Sequence, residues 1–417
     1  MTTAILDIND ANLSLWQDQN EVLRSPGYAL LEGNSYSFGE SARSQARLRP
    51  RQVNHRFWSQ LDVEVLTPAF GPSRHSADLV HAHLLEIHAA AGQPAQLMIT
   101  APGSLRLDQL ALLLGIIEQC PFDAIGLVDR AVAAAASTAV GPYNWHVELQ
   151  LHQALLTGIS CQAGLLLRDK VVPIPGCGWL AIQDSLAKAI ADAFIQQTRF
   201  DPRRQAATEQ ALYDHLPTLL EKLQSEPEYN MELGGHRARV ERSLLAASCE
   251  KHYQRIIRGL QAQAGQVLLG PSLARLPDIM QHLPAATAVA ESAISTAIAE
   301  NLDAIQGDAE GLHFITSLPA GSSASPAEKS VPEPVTQPEP TAAAAPESIP
   351  EPSVPSHCQI EFKDGALTLK HIGGGLCRVN GLAVTTSKPL AADDLIELEN
   401  GSAWRLVEVD ADNGSQT

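Results

Sequence analysis

The alternation of strand and helix signals between Gln96 and His152 constrains this chain more than any other feature. Gln96-Leu97-Met98-Ile99-Thr100 reads as a strand, Ala101-Pro102-Gly103 as a turn, and Leu107 to Gln119 as a helix. A strand from Ala124 to Leu127, an Ala-rich helix from Val128 to Thr138 and a strand from Tyr143 to His152 follow. Leu107, Leu110, Leu114 and Ile117 recur at spacings of three and four, which predicts one helix stripe lying against a sheet. Strand and helix alternating at this spacing predict an α/β layer architecture with parallel strands and buried crossovers.

A chain of 417 residues with 45% apolar content suffices for two or three domains. Aromatic residues make up only 5%, so the expected core is Leu, Ala, Ile and Val. A formal charge of −18 disfavours a nucleic-acid backbone as main partner, because affinity for phosphate needs clustered Lys and Arg. The opening Met-Thr-Thr-Ala-Ile-Leu-Asp lacks a basic segment followed by an apolar run, and no window approaches the roughly 20 apolar residues of a membrane span. The expected location is therefore the cytoplasm. Cys120, Cys161, Cys177, Cys249, Cys358 and Cys377 form no Cys-x-x-Cys pair, which suits reduced thiols rather than a disulfide or zinc framework.

Ile99-Thr100-Ala101-Pro102, a helix with Gln109, Leu127-Val128-Asp129-Arg130-Ala131 and Ala133 to Ala136 together resemble the superfamily of actin, sugar kinases and DnaK-type chaperones. The resemblance implies a two-lobed actin-like ATPase fold, with lobes at 1–141 and 142–315, and a site between them for ATP and magnesium. Asp7 matches the acid that ends the first strand and helps hold a hydrated magnesium ion. The turn after it, Ile8-Asn9-Asp10-Ala11-Asn12, lacks the family's glycine and threonine, and each Cβ hinders approach by a phosphate. In the second lobe Glu148 stands for the family's aspartate, yet Gln150 and Leu151 follow where glycines belong. Gly265 to Pro277 resembles the adenosine motif, but Pro271 replaces its second glycine and cannot donate an N–H. If nucleotide binds, the resemblance assigns its contacts to Asp7, Asn9, Glu148, Gly270 and Ser272. An ordinary Asn-Asp hairpin turn is the alternative reading of residues 8–12.

Other stretches carry weaker signals. Arg24, Arg43, Arg47, Arg49, Arg51 and Arg56 form a local basic patch, read either as a docking face or as a loop paired with the protein's own carboxylates. Ser76 to Gly92 predicts a helix with Leu79, Val80, Leu84, Leu85 and Ile87 buried. Its His81, His83 and His88 lack the i, i+4 spacing of a helical zinc site, so surface histidines and no metal are expected. The turn Pro175-Gly176-Cys177-Gly178 opens a helix from Leu180 to Gln197, whose first N–H groups either take an anion or are capped. Helices at 208–223 and 242–263, a hairpin at 229–240 and a crossing helix at 285–305 complete the expected second lobe.

From 316 to 355, ten prolines among Ala, Ser and Glu, with almost no large apolar residue, predict a disordered linker, since too little surface is buried to offset chain entropy. Residues 356–417 then read as a small all-β module. Ser356-His357-Cys358, Val379-Asn380-Gly381 and Leu390 to Leu398 are similar to the second half of a forkhead-associated domain, which implies partner contacts by His357 and Asn380. The serine of that family's pattern is Val354 here, and the phosphate-gripping arginine has no counterpart.

The expectation is a non-catalytic, actin-like or DnaK-like scaffold that works through protein contacts, a pseudo-ATPase with no bound cofactor. An ATP- and magnesium-dependent nucleotide switch is the alternative. The identity of the protein partner, and whether copies self-assemble, stay open.

Overall fold

Two six-stranded sheets carry most of the chain in a computed structural model. It describes residues 4–138, 141–260, 264–307 and 312–321, and near the C-terminus 358–363, 366–371, 377–379, 382–383, 387–389, 395–398 and 403–405. The chain divides into two units, Met1–Lys329 and Ser330–Thr417.

The first sheet starts as an antiparallel meander of β1 (Ala4–Asp7), β2 (Leu13–Gln17) and β3 (Asn20–Ser25). An insertion follows, with β4 (Ala29–Glu32), β5 (Ser35–Phe38), α1 (Gly39–Arg43) and β6 (Val53–Asn54). The chain returns through α2 (Ser76–Ala90) to β7 (Gln96–Ala101), α3 (Leu107–Ile117), β8 (Asp123–Asp129) and α4 (Arg130–Ala136). β7 pairs with β1 and β8 with β7, both in parallel, so Leu6 lies beside Ile99 and Ile99 beside Leu127, all buried.

The second sheet repeats the plan. β9 (Tyr143–Leu149), β10 (Gln153–Gln162) and β11 (Leu165–Pro175) form a meander. Helix α5 (Trp179–Thr198), an insertion of α6 (Ala206–Ser225), β12 (Glu228–Leu233) and β13 (His236–Glu241), and helix α7 (Arg242–Leu260) come next. Strand β14 (Gln266–Leu269) then adds in parallel to β9. After α8 (Pro271–Ala274) and α9 (Ile279–His282), β15 (Thr287–Ala288) pairs with β14, and α10 (Ala293–Glu300) and α11 (Leu302–Ile305) lead back to the first sheet. β16 (Phe314–Ile315) joins β8 of the first sheet, and β17 (Ser317–Pro319) joins β11 of the second. Two successive edge strands thus stitch the sheets together. No helix among the described residues is long and apolar enough to cross a membrane.

The α/β expectation holds in coarse form, with both sheets mixed rather than parallel throughout. Several local readings need correction. The partner of β9 is β10, a strand that the sequence pattern does not reveal. Most of β10 is buried on both faces, so it shows no alternation to read. Leu107 is 86% exposed, and the buried face of α3 is Leu110, Leu113, Ile116 and Ile117 with Gln109. Gln109 sets that phase: its carbonyl accepts from Arg106 N at 3.2 Å while its amide donates to Leu61 O at 3.2 Å. His83 and His88 are buried rather than on the surface, and Leu85 is exposed. Trp58 Nε1 donates to His83 Nδ1 at 3.0 Å, so His83 Nε2–H faces Ser25 Oγ at 2.7 Å, and burial pushes its pKa down to about 3. The single crossing helix expected at 285–305 is broken into α10 and α11.

Helix α4 lies where the two halves meet. Val132 to Ala136 cluster with Ile159 and Leu166 of the second sheet and with Ala297 and Ile298 of α10. Alanine leaves almost no side chain to separate the layers, so the helix sits deep, and all seven of its residues are buried.

In the second unit, β18 (Cys358–Lys363), β19 (Ala366–His371), β20 (Cys377–Val379), β21 (Leu382–Ala383), β22 (Ser387–Pro389), β23 (Leu395–Leu398) and β24 (Ala403–Arg405) form a three-stranded and a four-stranded antiparallel sheet. Of the segment 316–355 expected as a disordered linker, Ser317–Pro319 forms β17 with Leu318 buried, and residues from 322 onward, like His357 and Asn380, lie outside the described residues.

Candidate functional site at the junction of the two sheets

Strand β9 explains why a polar site exists here. Tyr143, Trp145, Val147 and Leu149 enter the apolar core of the second sheet. The alternate residues Asn144, His146 and Glu148 therefore point to the other face, toward α4, and all three are buried. Glu148 meets Arg130, the first residue of α4, in a charge-assisted bond from Nη1 to Oε2. The same guanidinium grips Asp7 in a two-pronged pair, Nε to Oδ1 at 2.7 Å and Nη2 to Oδ2 at 3.1 Å. Asp7, Arg130 and Glu148 are 6%, 9% and 3% exposed, so one arginine bridges two buried acids from two sheets. Thr100 Oγ1 adds a bond to Asp7 Oδ1 at 2.5 Å.

Arg130 is aimed by its neighbour. Asp129 caps α4, accepting from Ala131 N and Val132 N through Oδ1, while Oδ2 takes Arg168 Nη1 at 2.7 Å. Burial raises the Asp129 pKa against the opposing pull of Arg168 and the backbone bonds. His146 is held neutral, its pKa pushed down to about 3 by burial and by the Arg130 charge. Glu148 Oε1, His146 Nδ1 and Thr157 Oγ1 are buried and have no hydrogen-bond partner among the described residues.

Next to this bridge, the first turn of each sheet touches the other. Asn9 Nδ2 donates to Leu149 O at 3.2 Å, and Leu151 N donates to Asp10 Oδ1 at 2.8 Å. The 8–12 turn is self-braced, with Asn12 N on Asn9 O and Ala11 N on Asn9 Oδ1. Gly27 lies so close to it that a Cβ would fall 2.8 Å from Asp10 O. Burial lifts the Asp10 pKa to about 6, although the Leu151 and Ala11 N–H groups pull it down. The 150–152 turn is sealed by α5: Trp179 N and Leu180 N donate to Gln150 O and Leu151 O at 2.8 and 3.1 Å. A Cβ on Gly178 would lie 2.3 Å from Gln153 N, so only glycine lets the helix start this close. Capping, not anion binding, accounts for these two N–H groups.

The structure thus brings together Asp7, Asn9, Glu148 and Gly270, whose N–H donates to Val147 O at 2.8 Å beside Glu148. Ser272 is exposed on α8. Sequence reasoning missed Arg130 as the organiser and Asp10 as a buried acid. Its signal was present in Arg130, a lone charge heading the otherwise apolar run Ala-Val-Ala-Ala-Ala-Ala.

These residues do not fit a magnesium-bound polyphosphate as they stand. Its metal would need carboxylate oxygens, of which Arg130 occupies both on Asp7 and Oε2 on Glu148, and its phosphates would need backbone N–H groups, of which Leu151 N is spent on Asp10, Gln150 N on Gln153 O, and Ala11 N and Asn12 N on Asn9. Among the described residues, no cluster of three or more His, Cys, Asp or Glu side chains could hold a metal ion. The basic patch resolves mainly into internal pairs: Arg43 with Glu40 and Asp214, Arg47 with Asp184 and Glu209, Arg49 with Glu32, and Arg24 with Glu21 and Glu291. Neither a comparison with protein-family models nor one with curated proteins returns a match to this chain.

Proposed function

We propose that the first unit is an actin-like, two-lobed body of the actin and DnaK-type superfamily that has given up nucleotide chemistry and acts as a scaffold through protein contacts. The observation that carries this reading is Arg130 between Asp7 and Glu148. A guanidinium supplies the positive charge that a hydrated metal ion would supply, and it comes from the chain itself. Phosphoryl transfer depends on positioning and on charge stabilisation of the phosphates, and a bridged acid pair with closed turns offers neither. The repeated strand order, a meander with two further strands parallel to its first, supports the two-lobed assignment. On this reading the protein is cytoplasmic, and the C-terminal unit is a small β module, similar to part of a forkhead-associated domain, that adds a second contact through a Pro-rich tether.

A nucleotide switch is the second reading, favoured by one feature: Asp7 and Glu148 lie within reach of a single guanidinium, as acids flanking one magnesium ion would. A thermal-shift titration with magnesium and ATP separates the two, because a ligand that binds only the folded state raises its melting temperature. The scaffold reading expects no saturable rise, and a saturable rise of several degrees supports the switch.

A further inference from the structure

Between the first insertion and helices α5 and α6 lies a cavity of about 510 Å³, lined by none of the residues of the Arg130 bridge, although Leu151 and Leu180 of the sealed 150–152 turn also border it. On one wall are Tyr28, His55 and Arg56, with His152 beside them, and on the other are Asp184, Glu209 and Tyr213. The acidic wall is already paired. Asp184 takes Arg47 Nη2 at 2.8 Å and Tyr213 Oη at 2.5 Å, Glu209 lies 3.9 Å from Arg47, and the Arg47 guanidinium stacks 3.8 Å over the Tyr213 ring.

The opposite wall keeps its donors. His152 Nε2 lies 2.9 Å from the His55 carbonyl oxygen, which only accepts, so the hydrogen of His152 is on Nε2. That nitrogen is also 3.2 Å from His55 Nδ1, which must then be the acceptor and leaves the proton of neutral His55 on Nε2. Both rings are held neutral. Burial is the main cause of the low His55 pKa, about 4, and the Arg56 charge depresses both histidines. Tyr28 is only 4% exposed, its ring centre 5.7 Å from that of His55, and its phenol makes no hydrogen bond among the described residues. The Arg56 guanidinium makes no ion pair among them. Tyr28, His55 and Arg56 all line this one cavity, and among the described residues neither the Tyr28 phenol nor the Arg56 guanidinium meets an acceptor. Donors in this arrangement match the lone pairs of an oxyanion.

We propose that this cavity binds a small molecule bearing an oxyanion, a phosphate or a carboxylate, held by Tyr28 Oη, His55 Nε2 and Arg56. The site is separate from the Arg130 bridge and does not depend on whether the main cleft takes nucleotide.

Isothermal titration calorimetry of the full chain tests it with inorganic phosphate, with citrate, and with uncharged glycerol as control. Saturable binding of at least one anion and none of glycerol is expected. Phosphate alone would identify a phosphoryl ligand, and citrate alone a carboxylate. Tyr28→Phe keeps the ring and removes the donor, and Arg56→Gln alters an exposed side chain, so each variant should melt like the parent while weakening the anion about tenfold. Absence of saturable binding by either anion, or affinity unchanged in both variants, would overturn the proposal.

Discussion

Arg130 and Arg47 do the same job in two settings, each placing one guanidinium between two acids on separate elements. Arg130 holds Asp7 and Glu148 with all three side chains at or below 11% exposure, whereas Arg47 holds Asp184 and Glu209 with 30%, 59% and 25% of those side chains exposed. In the buried bridge, neither acid can recover water when the arginine is lost. In the open clasp, solvent and salt can replace it. The difference teaches that the junction of the sheets is built around its arginine, while the clasp over the neighbouring cavity is adjustable.

The largest effect should follow from Arg130→Met. It leaves two buried carboxylates without a counter-charge and should cost about 3–5 kcal/mol in urea unfolding. Adding Asp7→Asn and Glu148→Gln removes the stranded charges and should restore most of that loss. A cost below about 1 kcal/mol for the single variant would erase the contrast with Arg47.

Asp10 gives the next effect, and it depends on pH. Its folded pKa, about 6, lies above the ordinary 3.8, so the fold binds its proton more tightly than the unfolded chain does. The stability this provides is fully present below about pH 4 and is lost as pH rises through 6, a change of about 2–3 kcal/mol. Asp10→Asn keeps an oxygen for Leu151 N, so it should flatten stability between pH 4 and 7 and raise it at pH 8. Unfolding curves across that range check the sign.

Arg47→Ala should cost only about 1 kcal/mol, from the Asp184 bond and the stacking on Tyr213. Raising salt to about 0.5 M should shrink this cost and leave that of Arg130→Met nearly unchanged, because screening reaches exposed pairs far more than buried ones. Smaller still, Arg49→Ala breaks a pair with Glu32 in which both side chains are close to half exposed, and should stay within about 0.5 kcal/mol.

How much of this was legible in the sequence follows from the same contrast. The alternating strands and helices of 96–149 could be read because their periodicity reports local burial. Asp7 and Glu148 could be named only through the resemblance, which places an acid at each of those positions. Their partner was harder to find, since Arg130 acts across a distance of 123 residues from Asp7, and its one local mark, a lone charge at the head of an apolar run, does not say which acids it meets. Strand β10 escaped because burial on two faces hides alternation. Leu107 misled because the apolar spacing fits, but Gln109 turns the helix by its own hydrogen bonds. His83 looked like surface because a buried histidine needs two partners, here Trp58 and Ser25, drawn from distant segments.

The most direct test of the central claim is a crystal structure of the full chain grown with magnesium and a non-hydrolysable ATP analogue. If Arg130 stands where the metal ion would, it will still span Asp7 and Glu148, and Leu151 N will still meet Asp10. A triphosphate seated between the sheets, with Arg130 swung away and a metal ion on those two carboxylates, would contradict it.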